Sequence, residues 1–246
     1  MTLFSFLTAS GSVTGREHLR AYRDGQDGVA TVTAASAVVL VVCDGCSSSP
    51  HAEIGARVAS RFLAQELARQ VTHAPDLAPV VLAARAQKRL LRMLRCLSRV
   101  LGPSAQTQIA DCLLFTWLAA VVRPDAYAVF GMGDGAYAVN GQPTFLDPGS
   151  GNAPVYAAYA LLGDARAHAP TLHCEGPTAQ LHSLVLATDG AQELLAPGAP
   201  IDALVASTRL ARNPSLLEKT LRVARDTQGL ADDATCALLR RRPEAA

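Results

Sequence analysis

Apolar residues along this chain fall into two kinds of run. Some are short and nearly continuous, as in Val38-Val39-Leu40-Val41-Val42-Cys43, and others recur every three or four positions over long stretches. The first kind predicts strands buried on both faces, the second amphipathic helices. On this reading, residues 3–10, 29–33 and 37–43 form strands. The loop Ser47-Ser48-Ser49-Pro50 then leads into a helix over 52–70, with Ile54, Val58, Phe62 and Leu67 at helical spacing. A second helix over 80–101 follows Pro75 and Pro79 and stops at Gly102-Pro103.

The second half is strand-rich, with strands expected over 110–122, 126–130, 136–139 and 144–146. Asn140-Gly141 marks a hairpin, because both residues tolerate positive φ. Residues 147–154 read as a loop, 155–162 as strand or helix, 184–188 as a buried strand and 192–195 as a short helix. Helices over 201–211 and 215–226, a strand over 235–239 and a solvated tail Arg240-Arg241-Arg242-Pro243 complete the chain. Strict alternation of strand and helix is absent, so a doubly wound parallel sheet is disfavoured and a layered α+β sandwich expected.

Half of the 246 residues are apolar, enough for a sizeable core. No linker interrupts the pattern, so residues 1–246 are expected to form a single domain with a short polar tail from about 241. Lys and Arg number 22 and Asp and Glu 21, giving a net charge of +1, and aromatic residues make up only 5%. Nothing there calls for nucleic acid or an anionic membrane as partner. Residues 3–7 are apolar but lack a basic leader, and read as strand rather than signal peptide. The apolar run 109–122 is interrupted by Asp111 and is shorter than the roughly 20 residues a bilayer requires. A cytoplasmic protein with reduced thiols at Cys43, Cys46, Cys96, Cys112, Cys174 and Cys236 is expected.

Four apolar segments end in aspartate: Val41-Val42-Cys43-Asp44-Gly45, Gly131-Met132-Gly133-Asp134-Gly135, Leu186-Ala187-Thr188-Asp189-Gly190 and Leu230-Ala231-Asp232-Asp233. Desolvating an ionised carboxylate costs several kcal/mol unless a partner compensates it. If these ends converge, the natural complement is a set of hard divalent ions such as Mg²⁺ or Mn²⁺.

The order of these signatures resembles the metal-dependent protein phosphatases of type 2C, especially their compact bacterial branch. Gly15, His18 and Gln26-Asp27 hold the places of that branch's opening Gly, His and Gln-Asp. Asp44-Gly45 followed by Gly55-Ala56 matches the strand, loop and helix that come next. Gly133-Asp134 matches the hairpin tip, Thr188-Asp189-Gly190 the third strand end, and Asp232-Asp233-Ala234-Thr235 the last motif. The resemblance covers residues 11–240 and implies an α-β-β-α sandwich of two antiparallel sheets flanked by helices. The implied activity is hydrolysis of phosphoserine or phosphothreonine on a protein, by direct attack of a water bridging two Mn²⁺ or Mg²⁺ ions. The protein substrate would be a signalling protein of a bacterium, the target of a Ser/Thr kinase. The alternative is a catalytically weak or inactive phosphatase fold that binds a phosphoprotein or partner.

By position, the resemblance makes Asp44 the carboxylate bridging both ions and Gly45 a carbonyl ligand. Asp189 and Asp232 would hold the first ion. Asp134 would support a third, and Asp27 would act through water or a hydrogen bond behind the ligands. Three positions depart from the pattern. Cys46-Ser47-Ser48 replaces the His-Gly-Gly of better-known members, whose His acts as general acid; His51 lies in the same loop. Tyr22 stands where many members have a phosphate-gripping Arg, with Arg20 and Arg23 beside it as candidates. Gln26 replaces a Glu. Residues 148–179 are the stretch expected to form a flap beside the site.

Other motifs are weaker. Cys43-x-x-Cys46 invites a redox reading, but the enclosed Asp44-Gly45 fits the strand-end pattern better. Gly131-x-Gly133-x-x-Ala136 matches a loose dinucleotide fingerprint, which must open a helix, whereas strand and hairpin follow here. Arg85, Lys88, Arg89, Arg92, Arg95 and Arg99 give the second helix a basic side, read as a solvated face or as a surface for an acidic partner.

Overall fold

A computed structural model describes residues 6–149, 151, 154–164, 169–207 and 209–242. Along the first half run β1 (Phe6–Val13), α1 (Arg16–Arg20), β2 (Gly28–Thr33), β3 (Val38–Gly45), α2 (Ala52–His73), α3 (Pro79–Leu101) and α4 (Ala105–Cys112). The second half supplies β4 (Phe115–Val122), β5 (Ala126–Met132), β6 (Gly135–Val139), β7 (Gln142–Leu146), β8 (Thr171–Pro177) and β9 (Ser183–Ala187). Then come α5 (Pro200–Ala206), α6 (Arg209–Arg212), α7 (Leu216–Gln228) and β10 (Ala234–Arg241). Short 3-10 turns occupy Ala157–Leu161, Thr178–Gln180 and Asp189–Leu195.

The strands form two antiparallel five-stranded sheets, ordered β1-β10-β9-β6-β7 and β2-β3-β4-β5-β8. Helices α2 and α3 cover the second sheet, and α5 and α7 cover the first, giving the four-layer α-β-β-α sandwich. The β3 run explains the layering. Val39, Val41 and Cys43 point toward α2 and α3, where Leu63, Leu67, Leu90 and Leu94 are buried. Val38, Leu40 and Val42 point the other way, against Leu184, Leu186 and Leu239 of the facing sheet. Each fully buried Val or Leu contributes about 1.5–3 kcal/mol. A few such residues offset the several kcal/mol that one desolvated carboxylate costs, so the sandwich tolerates acidic strand ends at one edge.

Several sequence expectations need correcting. Residues 110–122 do not form one strand: Ser104 Oγ accepts the Thr107 amide and opens α4, and β4 starts only at Phe115. The expected helix over 201–211 is two pieces, because Ser207 is extended and ends α5. The first strand begins within the described residues at Phe6 and continues to Val13; residues 3–5 of the expected strand lie outside them. Residues 148–179 are not all flap, since Thr171–Pro177 pairs with β5 as an edge strand; residues 150, 152, 153 and 165–168 lie outside the described set. Arg240 and Arg241 are not tail. Both extend β10 opposite Leu7 and Phe6, and Arg241 also lies over the Phe6 ring and donates to Thr178 O and Leu181 O. Among the described residues, no helix is long and apolar enough to cross a membrane.

Candidate metal centre

The four aspartates come from both sheets and meet at one edge of the sandwich. Asp44 is the penultimate residue of β3. Asp134 sits in the tight turn by which the chain leaves β5 in one sheet and enters β6 in the other. Gly133 and Gly135 make that turn at φ +98° and +115°, values that a side chain would strain. Asp189 lies two residues past the end of β9, after Thr188, and Asp232 two residues before the start of β10, which is β9's neighbour. Gly190 lets these two ends touch: a Cβ there would lie 2.0 Å from the Asp233 carbonyl oxygen.

One small polar cavity of ≈ 80 Å³ is lined by Asp44, Asp134, Asp189, Asp232, Gly45 and Thr116, with Cys46, Ser47, Pro154 and Tyr156 completing its walls. Burial pushes the Asp44 carboxyl well above the ordinary carboxylate range, and the charges of Asp27, Asp189 and Asp134 add to it. Asp44 and Asp189 are within hydrogen-bonding reach of each other. Asp134 is raised to about 6, chiefly by desolvation and then by Asp189, while Thr116 hydrogen-bonds to it and lowers it somewhat. Asp232, at the exposed rim, is raised by desolvation and by the charges of Asp189 and Asp233. These carboxyls repel one another, and the buried Oδ1 of Asp134 has no partner among the described residues. The donor set is all oxygen, which suits Mg²⁺ or Mn²⁺ rather than a soft metal. The residues therefore fit the divalent ions that the resemblance implies.

Behind the cavity lies a buried hydrogen-bonded layer. Asp27 accepts from Thr188 Oγ1 at 2.9 Å and does not line the cavity; desolvation and then the Asp233 charge raise it to about 8. Asp233 accepts from the Gly15 and Gln26 amides and from His18 Nδ1. His18, Asp232 and Asp233 are the one trio of ligand-type side chains, among the described residues, whose donor atoms all lie within 4.8 Å. Asp233 is already occupied by three donors there, so the trio reads as a structural tie. No three of the cavity carboxylates bring ligand atoms that close together.

Other expected participants stand apart from the cavity. Arg20 is exposed on α1, and Arg23 donates to Ser49 O and Pro50 O, holding the loop that follows Gly45. Neither lines the cavity. Tyr22 is 98% exposed at φ 55°. His51 is an exposed residue before α2, 3.6 Å from Glu53, and is not at the cavity. Gln26 is buried with its Nε2 donating to Ser49 O. Cys46 does reach the cavity, with Sγ 3.1 Å from Ser48 Oγ, and all six cysteines are free. Sequence reasoning missed Thr116 and Tyr156. Thr116 pairs directly across from Asp44 in the β3–β4 ladder, and its signal was a polar residue interrupting an apolar strand. Tyr156 carried none.

The model of the family described as Protein phosphatase 2C matches residues 14–232. The chain belongs to that family. No curated protein matches its sequence, but solved structures share the phosphatase 2C fold. A bacterial serine phosphatase is 15% identical, with 97% of this chain and 99% of that one covered and a TM-score of 0.62. The serine/threonine phosphatase Stp1 from Staphylococcus aureus is 16% identical, with 95% and 94% covered and a TM-score of 0.63. A structure from work on the bacterial stressosome, a modular system adapted to control secondary messenger signalling, is 13% identical, with 96% and 99% covered and a TM-score of 0.53. At these identities the likeness is one of fold.

Proposed function

We propose that this chain is a single-domain, metal-dependent phosphatase that hydrolyses phosphoserine or phosphothreonine on a protein. The observation that carries the reading is the convergence of Asp44, Asp134, Asp189 and Asp232, from four separate strand ends, on one cavity. Those carboxylates and the Gly45 carbonyl would hold Mn²⁺ or Mg²⁺. Such ions, when bound, lower the pKa of a water and neutralise charge on a transferring phosphoryl group. Thr116 steadies Asp134 by a hydrogen bond, and the Thr188–Asp27 bond fixes the backbone from which Asp189 projects. The cavity is far smaller than the ~300–1,000 Å³ typical of drug-sized ligand sites. That size favours recognition of a phosphoryl group, with the rest of the substrate outside. The cytoplasmic bacterial setting and a kinase-phosphorylated target belong to the same proposal.

The test is Mn²⁺-dependent release of phosphate from p-nitrophenyl phosphate and from phosphoserine and phosphothreonine peptides, with Mn²⁺ binding measured separately by calorimetry. Turnover that Asp44→Asn and Asp189→Asn abolish supports the reading. Full activity in either variant overturns it. One observation favours a second reading, a phosphatase fold kept as a binding regulator: among the described residues lining the cavity there is no Arg, Lys or His. Mn²⁺ binding without turnover on any of these substrates would favour that regulator.

A further inference from the structure

Helix α3 carries Arg85, Lys88, Arg89, Arg92, Arg95 and Arg99 and no acidic residue between Pro79 and Leu101, in a chain whose net charge is only +1. All six are exposed. Arg89 has a partner, the buried Glu66 of α2, which it shares with Arg69. Among the described residues, no ion pair engages the other five. Successive cations stand three or four positions apart (Arg85 with Lys88 and Arg89, Lys88 with Arg92, Arg92 with Arg95, Arg95 with Arg99), the spacing at which like charges weaken a helix. Apart from the Arg89–Glu66 pair, no ion pair among the described residues offsets this repulsion, which points to a compensating charge supplied by a partner.

The shape of the surface narrows what that partner is. A groove of ≈ 470 Å³ runs along α3, with Ala84, Leu91 and Pro170 as apolar lining and Lys88, Arg92 and Arg95 as its cations. A second groove of ≈ 290 Å³ lies between α3 and α2, and Lys88 and Arg92 line it too. Among the described residues no Phe, Tyr or Trp lines either groove, and the one imidazole, His73, lines only the second. Apolar lining beneath a row of cations suits a polypeptide that presents carboxylates beside aliphatic side chains. We propose that α3 docks an acidic, aliphatic-containing segment of a partner protein, with carboxylates on Lys88, Arg92 and Arg95 and an apolar side chain against Leu91. The 3-10 turn Ala157–Leu161 packs on α3 and directly follows Pro154 and Tyr156 of the carboxylate cavity. The docking does not require that the cavity hydrolyse anything.

The experiment is fluorescence anisotropy of a labelled peptide built from Glu and Leu, titrated with the full chain in EDTA so that the carboxylate cavity plays no part. Saturable binding is expected, weakened about tenfold or more by Lys88→Glu with Arg92→Glu, and weakened by added salt. Replacing Leu by Ser in the peptide is expected to weaken it as well. Because the variants relieve repulsion, their melting temperature is expected not to fall, and Arg92→Gln with Arg95→Gln provides a milder second pair. Absence of peptide binding, or equal binding by the charge-reversed variant, overturns the proposal. Binding of a single-stranded oligonucleotide or of phosphatidylserine vesicles in preference to the peptide overturns it too.

Discussion

His18 Nδ1 lies 2.9 Å from Asp233 Oδ2 across 215 residues of sequence, and neither side chain lines the carboxylate cavity. The pair closes the fold. The same Asp233 carboxylate takes the amides of Gly15 and Gln26, so one side chain ties the segment between β1 and β2 to the approach to β10. Both residues are buried.

Removing the carboxylate would strand three buried donors. Unsatisfied donors cost about 1–3 kcal/mol each, and breaking a buried pair costs about 3–5 kcal/mol. Asp233→Ala is therefore expected to destabilise the protein by about 3 kcal/mol or more in urea unfolding. Asp233→Asn keeps a carbonyl acceptor and should cost less. His18→Ala leaves Asp233 with two amide donors and should cost about 1–2 kcal/mol. A stability of Asp233→Ala equal to the wild type would mean that the tie does not hold the fold.

The cavity carboxylates should behave in the opposite sense. Asp44 is buried among like charges, so Asp44→Asn removes repulsion and is expected to leave metal-free stability unchanged or higher. Mn²⁺-dependent turnover should fall about a hundredfold or more, and the rise in Tm on adding Mn²⁺ should shrink. Asp189→Asn is expected to follow the same pattern. Thermal melts with and without Mn²⁺, beside phosphate release, separate a lost ligand from a lost fold.

How much of this was legible follows from where each signal lives. The β3 run, the Asn140-Gly141 hairpin at φ 52° and 79° and the four Asp-bearing ends are local patterns, and local patterns were readable. The edge strand β8 was not, because Thr171–Pro177 is half-exposed and its sequence, rich in His, Cys, Gly and Pro, has little strand character of its own. It exists through pairing with β5. The apolar run from Ile109 hid the break at Leu113-Leu114, although Ser104 carried the capping signal for α4. Asp233's three donors come from more than 200 residues away. No periodicity reports such a contact.

Metal-free stability should depend on pH with a definite sign. Burial raises Asp27 from 3.8 to about 8 and Asp134 to about 6. Between these values and the ordinary carboxylate value, the folded chain holds more protons than the unfolded one. The associated stability is therefore fully present at acid pH and is lost as pH rises through about 6 and then about 8. In EDTA, Tm is expected to decline across that window, and Asp27→Asn should flatten the decline. Mn²⁺ should raise Tm most at the alkaline end, where the carboxylates are ionised. A Tm in EDTA that climbs steadily over the same window would contradict the electrostatics assigned to Asp27.

Gly190 offers a test of how the two halves of the ligand set are brought together. An added Cβ would meet Asp233 O at 2.0 Å and Asp232 Cβ at 3.2 Å, and the first of these is backbone that cannot swing aside. Gly190→Ala must push the end of β9 from the start of β10. Overpacking of this kind costs about 1–3 kcal/mol. The same displacement separates Asp189 from Asp232, so Mn²⁺ affinity in calorimetry should fall about tenfold or more. Wild-type affinity with reduced stability would show that Asp189 and Asp232 do not share an ion.

Cys46 occupies the position after Asp44-Gly45 at which better-known type 2C phosphatases carry a proton-donating His. Burial raises its thiol while hydrogen bonds from Ser48, Tyr156 and Ser49 lower it, the net lying below the ordinary thiol value. A leaving serine alkoxide needs a proton as the bond to phosphorus breaks, whereas p-nitrophenolate leaves without one. Cys46→His is therefore expected to raise kcat for a phosphoserine peptide by about tenfold or more, with p-nitrophenyl phosphate turnover changed much less. Cys46→Ala should lower the peptide rate and spare the aryl phosphate. The contrast between leaving groups is what identifies proton donation, because a packing defect at this wall of the cavity would slow both substrates alike. Equal slowing of both by Cys46→Ala would assign Cys46 to the wall alone.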